Sequence, residues 1–255
     1  MEDLNYKINP NENLYFTIKL LFSILIYALI GFALFSFFTS SHQPNSPIYI
    51  LLFYGILIVL YYFFATGIMV GYIKGNGIRI TGNQFPEIYH ILENQCKQLN
   101  MKVPPVYIIQ NGGVLNAYAT RFIGRNYVVI YSEIFDLAFE EGTNELSFVV
   151  AHELGHIKRN HISKRLWLFP SIIIPFLGSA YSRACEYTCD NIGNTFSPSG
   201  STLGLLILAS GKKGYKKVNI QEYLNSANNE TGFWKWFSES VSAHPNLPNR
   251  IENIR

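Results

Sequence analysis

Leu146-Ser147-Phe148-Val149-Val150-Ala151-His152-Glu153-Leu154-Gly155-His156-Ile157 is the stretch around which the rest of this chain can be read. Leu146, Val149, Val150, Leu154 and Ile157 recur at helical spacing, and Thr143 or Asn144 just upstream is a good N-cap, so the stretch is predicted to be a helix. Histidines four apart on a helix lie one above the other, so the His152 and His156 imidazoles reach a single metal ion. Glu153, next to the first of them, then stands beside the metal without ligating it. Zinc in such a place activates a water by lowering its pKa toward about 7, and the glutamate takes the proton. The bland alternative is a solvated helix with a polar face. Phe148, Val149, Val150 and Ile157 make this helix largely buried, and two buried imidazoles with a carboxylate require a partner.

A catalytic zinc site takes three protein ligands and keeps one position open. Downstream, Arg183-Ala184-Cys185-Glu186-Tyr187-Thr188-Cys189-Asp190 offers Glu186, with Asp190 one turn later on the same face. Glu186 is the candidate third ligand of one zinc ion per chain. Asp190 would accept a hydrogen bond from the free ring nitrogen of a ligating histidine and so fix its tautomer. Taken alone, such a pair at i, i+4 is an ordinary solvated surface; the histidine motif upstream gives it meaning. A fourth protein ligand, such as Cys185 or His244, would instead close the site and suit a non-proteolytic zinc scaffold. A latent site covered by its own chain is the other alternative.

The chain is 255 residues long, with 15% charged, 49% hydrophobic and 15% aromatic residues. Roughly a quarter charged is usual in soluble domains, so the apolar excess must be concentrated somewhere. It lies in two runs, Leu20 to Phe38 and Ile48 to Ile73, neither of which contains a charge. Each matches the roughly 20 residues that span a bilayer, and Thr39 to Pro47 between them reads as a turn. A transmembrane hairpin is predicted, as a retained anchor rather than a cleaved leader. Lys7 and Lys19 before or at the start of the first helix, with Lys74 and Arg79 after the second, place both ends in the cytoplasm. The expected division is a cytoplasmic N-terminus over 1–13, a two-helix hairpin over 14–74 and a catalytic domain over 75–255. The localisation that follows is the inner or plasma membrane, with the lipid bilayer as a partner. A net charge of +3 is too small to argue for nucleic acid, and three cysteines suit a reducing compartment.

Past residue 75 the texture is mixed. Pro86, Ile88, Ile91, Leu92 and Cys96 show helical spacing, whereas Val106 to Gln110 and Tyr127 to Tyr131 read as strands. Asn111-Gly112-Gly113 reads as a turn and Val114 to Thr120 as a further strand; more helices are expected near 178–195, 201–211 and 219–227. The fold class is α+β, mainly helical, with a small β-sheet. Leu166 to Ala180 is apolar but only about 15 residues long and broken by Pro170 and Pro175. It is too short to cross and return, so it is expected to be a kinked helix, buried or in the membrane interface. His156 and Glu186 therefore stay on one side of the bilayer, as a shared ion demands.

Four patches in order resemble the gluzincin metallopeptidases, and more narrowly the HtpX-like membrane zinc endopeptidases, whose relatives include the CAAX prenyl endopeptidases. They are Asn116-Ala117-Tyr118-Ala119, Ala151 to Ile157, Ser182 to Asp190, and Ser242-Ala243-His244-Pro245 with Arg250-Ile251. The resemblance implies a zincin-type metallopeptidase domain acting on proteins or peptides, damaged or misassembled membrane proteins among them. It implies that Asn116, Ala117, Tyr118 and Ala119 form an edge strand that binds extended substrate, and that His244 stabilises the oxyanion. Arg250 is expected to be an ion-pair partner. Two departures stand out. Cys189 occupies a position where the family usually has alanine, and the membrane hairpin often found between the histidines and the glutamate is contracted here to Leu166–Ala180. Two spans do not build the seven-helix chamber of the CAAX enzymes. Lys212 to Lys217 reads either as a headgroup contact or as a solvated loop. Trp234, Trp236 and Phe237 either meet the membrane interface or pack on the domain. Oligomeric state is left open.

Overall fold

The computed structural model describes residues 4–39, 47–110, 112 and 116–255. The expected turn at Thr39–Pro47 and the Asn111–Gly113 turn fall largely outside them. Two long helices come first, α1 (Pro10–Thr39) and α2 (Pro47–Asn76), each long and apolar enough to cross a membrane. Their large side chains stand open, with Phe32 at 70%, Leu51 at 71% and Tyr61 at 76% exposure, which in water would be unfavourable over so large an area. Only their ends are buried: Glu12, Lys19 and Ser23 on α1, Val70 and Ile73 on α2. Residues 4–13 are not a free tail. Leu4 and Tyr6 pack against the main core, and the Asn9 amide donates to Thr188 Oγ1 at 3.0 Å.

The domain then runs β1 (Ile78–Arg79), α3 (Pro86–Gln98), β2 (Val106–Ile109), β3 (Ala117–Phe122), β4 (Arg125–Tyr131), α4 (Ser132–Glu141), α5 (Asn144–Lys158) and α6 (His161–Trp167). After a 3₁₀ turn at Phe169–Ile173 come α7 (Leu177–Phe196), α8 (Pro198–Gly214), α9 (Ile220–Asn229), α10 (Phe233–Val241) and α11 (Leu247–Ile254). The mainly helical α+β class holds. The four strands are ordered β1-β2-β4-β3; β2 and β4 run parallel, and the outer pairs are antiparallel. The run Tyr127 to Tyr131 is apolar throughout because β4 is covered on both faces. Val128 and Ile130 face Leu146, Val150 and Leu154 of α5, whereas Tyr127 and Val129 face Val70 and Ile73 of α2.

Helix α5 is the centre of the domain. One side faces the sheet; Phe148 on another side packs with Leu205, Leu206 and Ile251. Phe148 fits because Gly193 on α7 and Gly204 on α8 give way to it: a Cβ at either would stand 2.7 or 2.8 Å from its ring. Leu166–Ala180 is not one kinked helix. It comprises the end of α6, the 3₁₀ turn and the start of α7, with Phe176 in the left-handed region (φ 62°). Leu168 and Ser171 are buried in it while Trp167, Phe169, Ile172 and Ile173 point outward. The Tyr27 hydroxyl of α1 donates to the Trp167 carbonyl at 3.3 Å, so this knuckle lies beside the apolar run of α1.

Candidate metal centre

His152 and His156 project from one face of α5, with Nε2 atoms 3.3 Å apart. Helix α7 lies close enough to join them because Gly155 has no side chain; a Cβ there would sit 3.1 Å from Cys189 Sγ and 3.4 Å from Cys189 Cα. That approach brings Glu186 to the rings. Its Oε2 is 3.5 Å from His152 Nε2 and its Oε1 is 3.3 Å from His156 Nε2. Glu153 follows His152 on α5 and is buried, 8% exposed.

Each ring has a partner on its far side. His152 Nδ1 lies 2.9 Å from Asp190 Oδ1, one turn beyond Glu186 on α7. Asp190 is fully buried and is held by Arg250 of α11, whose Nε and NH2 donate to its two oxygens at 2.8 and 2.7 Å. Burial would raise the Asp190 pKa, but the Arg250 guanidinium and the His152 bond hold it below the ordinary carboxylate value. Burial likewise opposes charge on Glu186, yet bonds from His152, His156 and His244 hold it well below the usual range. The two carboxylates act on His152 in turn: burial lowers its pKa, but their bonds and charges push it up to about 10. The cluster demands a cation, proton or metal.

On the other ring, His156 Nδ1 lies 3.1 Å from His161 Nδ1. Asn160, in the left-handed region (φ 56°), ends one helix and turns the chain so that His161 opens α6 facing back. His161 Nε2 lies 3.1 Å from Glu12 Oε1, which also accepts from Arg159 Nε at 3.0 Å and NH2 at 2.8 Å. Burial pushes the His161 imidazole below its ordinary value. Neither Glu12 nor His161 stands out in the sequence. Glu12 is 149 residues from its partner, and the only hint was a lone acid ahead of an apolar run.

His244 reaches in from the loop between α10 and α11, its side chain 66% exposed and its Nδ1 3.0 Å from Glu186 Oε2. Arg183 of α7 holds that loop: its NH1 donates to the carbonyls of Glu239, Ser240 and Ser242 at 2.6, 3.0 and 2.9 Å. Strand β3 runs from Ala117, the first two residues of the expected Val114–Thr120 strand lying outside the described residues, and sits at the sheet edge, with β4 as its one neighbouring strand among the described residues. Ala117 and Ala119 pack toward the α5 core, Tyr118 meets Tyr131 edge-on at 6.0 Å, and the exposed Asn116 gives its carbonyl to the Tyr131 amide at 2.9 Å. Cys185 and Cys189 are buried. Burial, then the charge of Glu12 for one and of Glu186 for the other, pushes their thiols well above the ordinary value. They stay protonated and apolar in character.

The donor set fits zinc. Two ring nitrogens about 2.0–2.1 Å from a tetrahedral zinc stand roughly 3.3–3.4 Å apart, and one nitrogen of each ring, with a Glu186 oxygen, meets that spacing here. Comparison with known proteins points the same way. Residues 83–174 match peptidase family M48. A protease HtpX homolog of Bacteroides fragilis is 43% identical over 75 residues, covering 29% of this chain and 22% of its own length. One of Streptococcus uberis is 24% identical over 246 residues, 76% of this chain and 80% of its own. The crystal structure of S. mikatae Ste24p superposes with a TM-score of 0.53 at 15% identity over 98% of this chain and 67% of that one, which establishes a shared fold. This chain spans between a fifth and a half of the length of the first curated relatives it matches. Residues 83–174 are thus similar to peptidase family M48, the HtpX homologs resemble this chain over a quarter to three quarters of its length, and its fold is that of Ste24p.

Proposed function

We propose that this protein is a membrane-anchored zinc endopeptidase, with α1 and α2 as spans and the catalytic domain in the cytoplasm. His152, His156 and Glu186 would hold the ion, and the single observation that carries the reading is the convergence of their donor atoms to 3.3–3.5 Å. Zinc bound there supplies Lewis acidity, activating a water and polarising a peptide carbonyl. Glu153 is the general base, taking the proton of the attacking water and handing it to the leaving amine. Its burial keeps that proton from bulk solvent. His244, reaching the cluster from the α10–α11 loop, is the donor to the developing oxyanion. The free edge of β3, beside α5, is the place where an extended substrate adds as a strand, with Asn116 to Ala119 as its contacts. Substrates would be damaged or misassembled membrane proteins.

The test is digestion of casein by the full chain in detergent, with and without a chelator. Glu153→Gln should keep its zinc and lose cleavage. Cleavage that survives this change removes the mechanism. The rival reading is a zinc scaffold, favoured by one contact: His244 Nδ1 already sits 3.0 Å from Glu186, where a fourth side chain could close the site. Stoichiometric zinc in a chain that digests nothing would select it.

A further inference from the structure

We propose that Glu12, acting through His161, is the positioning group that turns His156 Nε2 toward the metal. The inference rests on the reading of His156 as a zinc ligand. A carboxylate only accepts hydrogen bonds, so His161 Nε2, 3.1 Å from Glu12 Oε1, carries the hydrogen between them. The same oxygen already accepts two bonds from Arg159, which supply the countercharge of Glu12, and the relay takes His161 as its Nε2–H tautomer. Its Nδ1 is then bare and accepts the N–H of His156 Nδ1 at 3.1 Å. His156 Nε2 is left with a lone pair, and it faces His152 Nε2 and Glu186 Oε1, each 3.3 Å away. The opposite polarity would place a hydrogen on that nitrogen and direct it into the donor cluster. His152 is oriented by a carboxylate in contact, Asp190 at 2.9 Å; His156 is oriented by one a residue further off.

Glu12 is held for this task. Its helix begins where Asn9 Oδ1 accepts the Asn11 amide at 3.0 Å, and two bonds join the segment to α7: Asn9 N to Thr188 Oγ1 at 3.0 Å and Asn191 Nδ2 to the Lys7 carbonyl at 2.9 Å. The first apolar helix thus supplies part of the metal site as well as an anchor. Cys189 Sγ lies 3.8 Å from His161 Nδ1, and Glu12, His161 and Cys185 also stand close enough to share an ion, which gives the test its rival outcome.

The experiment uses the full-length chain in detergent micelles, with zinc affinity and stoichiometry read by competition against a chromophoric chelator. Side-chain nitrogen NMR of the histidine-labelled parent reads the tautomers. One zinc per chain is expected, with His161 protonated at Nε2 and bare at Nδ1. Glu12→Gln and His161→Gln should each weaken zinc binding by about 10- to 100-fold, since an amide at position 12 no longer dictates where the hydrogen sits. Arg121→Gln, which removes a bond to Ser163 of α6 outside this chain of contacts, should leave zinc affinity unchanged. Parental zinc affinity in folded Glu12→Gln, a hydrogen on His161 Nδ1, or a second zinc equivalent lost on changing His161 would each overturn the relay. The NMR reading decides the matter on the parent alone should the variants fail to fold. A parent that takes up no zinc defeats the metal reading and the relay together, whereas zinc uptake indifferent to position 12 defeats the relay alone.

Discussion

His152 shows how much a single side chain is asked to do. Without metal, its ring is held protonated up to about pH 10 by the two carboxylates of α7, against the opposing effect of burial. A ligand must give up that proton, so zinc uptake at pH 7 should release about one proton per ion, and affinity should rise with pH through the neutral range. Calorimetry in buffers of different ionisation enthalpy measures this directly; zinc binding with no proton release would mean that the ring is already neutral. His152 and His156 could be named from spacing alone, because i, i+4 on a helix is a local geometric fact. Glu186 and Asp190 were nameable as a pair for the same reason, but their approach to the rings depends on how α7 crosses α5. Glu12 and His161 were not legible, since each acts through a bond to a distant segment; Arg183 stood within the Ser182 to Asp190 patch, but its hold on the α10–α11 loop did not show.

The crossing itself is a matter of absent side chains. Gly193 and Gly204 accept the Phe148 ring, and Gly200 lets the start of α8 lie against the backbone of Asn144. A Cβ at Gly193 would stand 2.7 Å from that ring and 3.0 Å from the Phe148 carbonyl, and one at Gly200 would overlap the Asn144 carbonyl. Gly193→Ala and Gly200→Ala should each lose about 1–3 kcal/mol or more, read as a lower melting temperature in detergent. Gly75→Ala, which meets nothing within 4 Å, should not. Equal melting temperatures for all three would show that the helices move apart freely. The longer helices were readable from their patterns and β2 and β4 from their β-branched runs, whereas the short helices α4, α6, α10 and α11 were not foreseen. The edges were not: α8 begins at Pro198, three residues ahead of the expected start, because Ser197 Oγ binds the Asn144 carbonyl at 2.8 Å and fixes the turn there.

The whole molecule is tied to its two apolar helices at both near ends. Glu12 at the start of α1 is bonded to α6, while Val70 and Ile73 at the end of α2 pack beneath the sheet. Both ends must therefore lie on the domain's own side of any membrane that the helices cross. The chain should resist extraction by alkaline carbonate, and tags at its two termini should share one accessibility to added protease. A protected tag at one end only would refute the hairpin. Composition made the apolar runs plain, whereas the depth of the Leu166–Ala180 segment was hidden, since fifteen apolar residues suit a buried turn equally well. The bond from Tyr27 to Trp167 sets this segment beside the apolar run of α1. Were α6 to stand upright with Trp167 at the lipid surface, the about 9 Å back to His161 would put the proposed scissors at the waterline. A tethered polypeptide would need to surface by only about three extended residues to be cut there, and proximity to the lipid, more than any side-chain pocket, would decide what the blade meets.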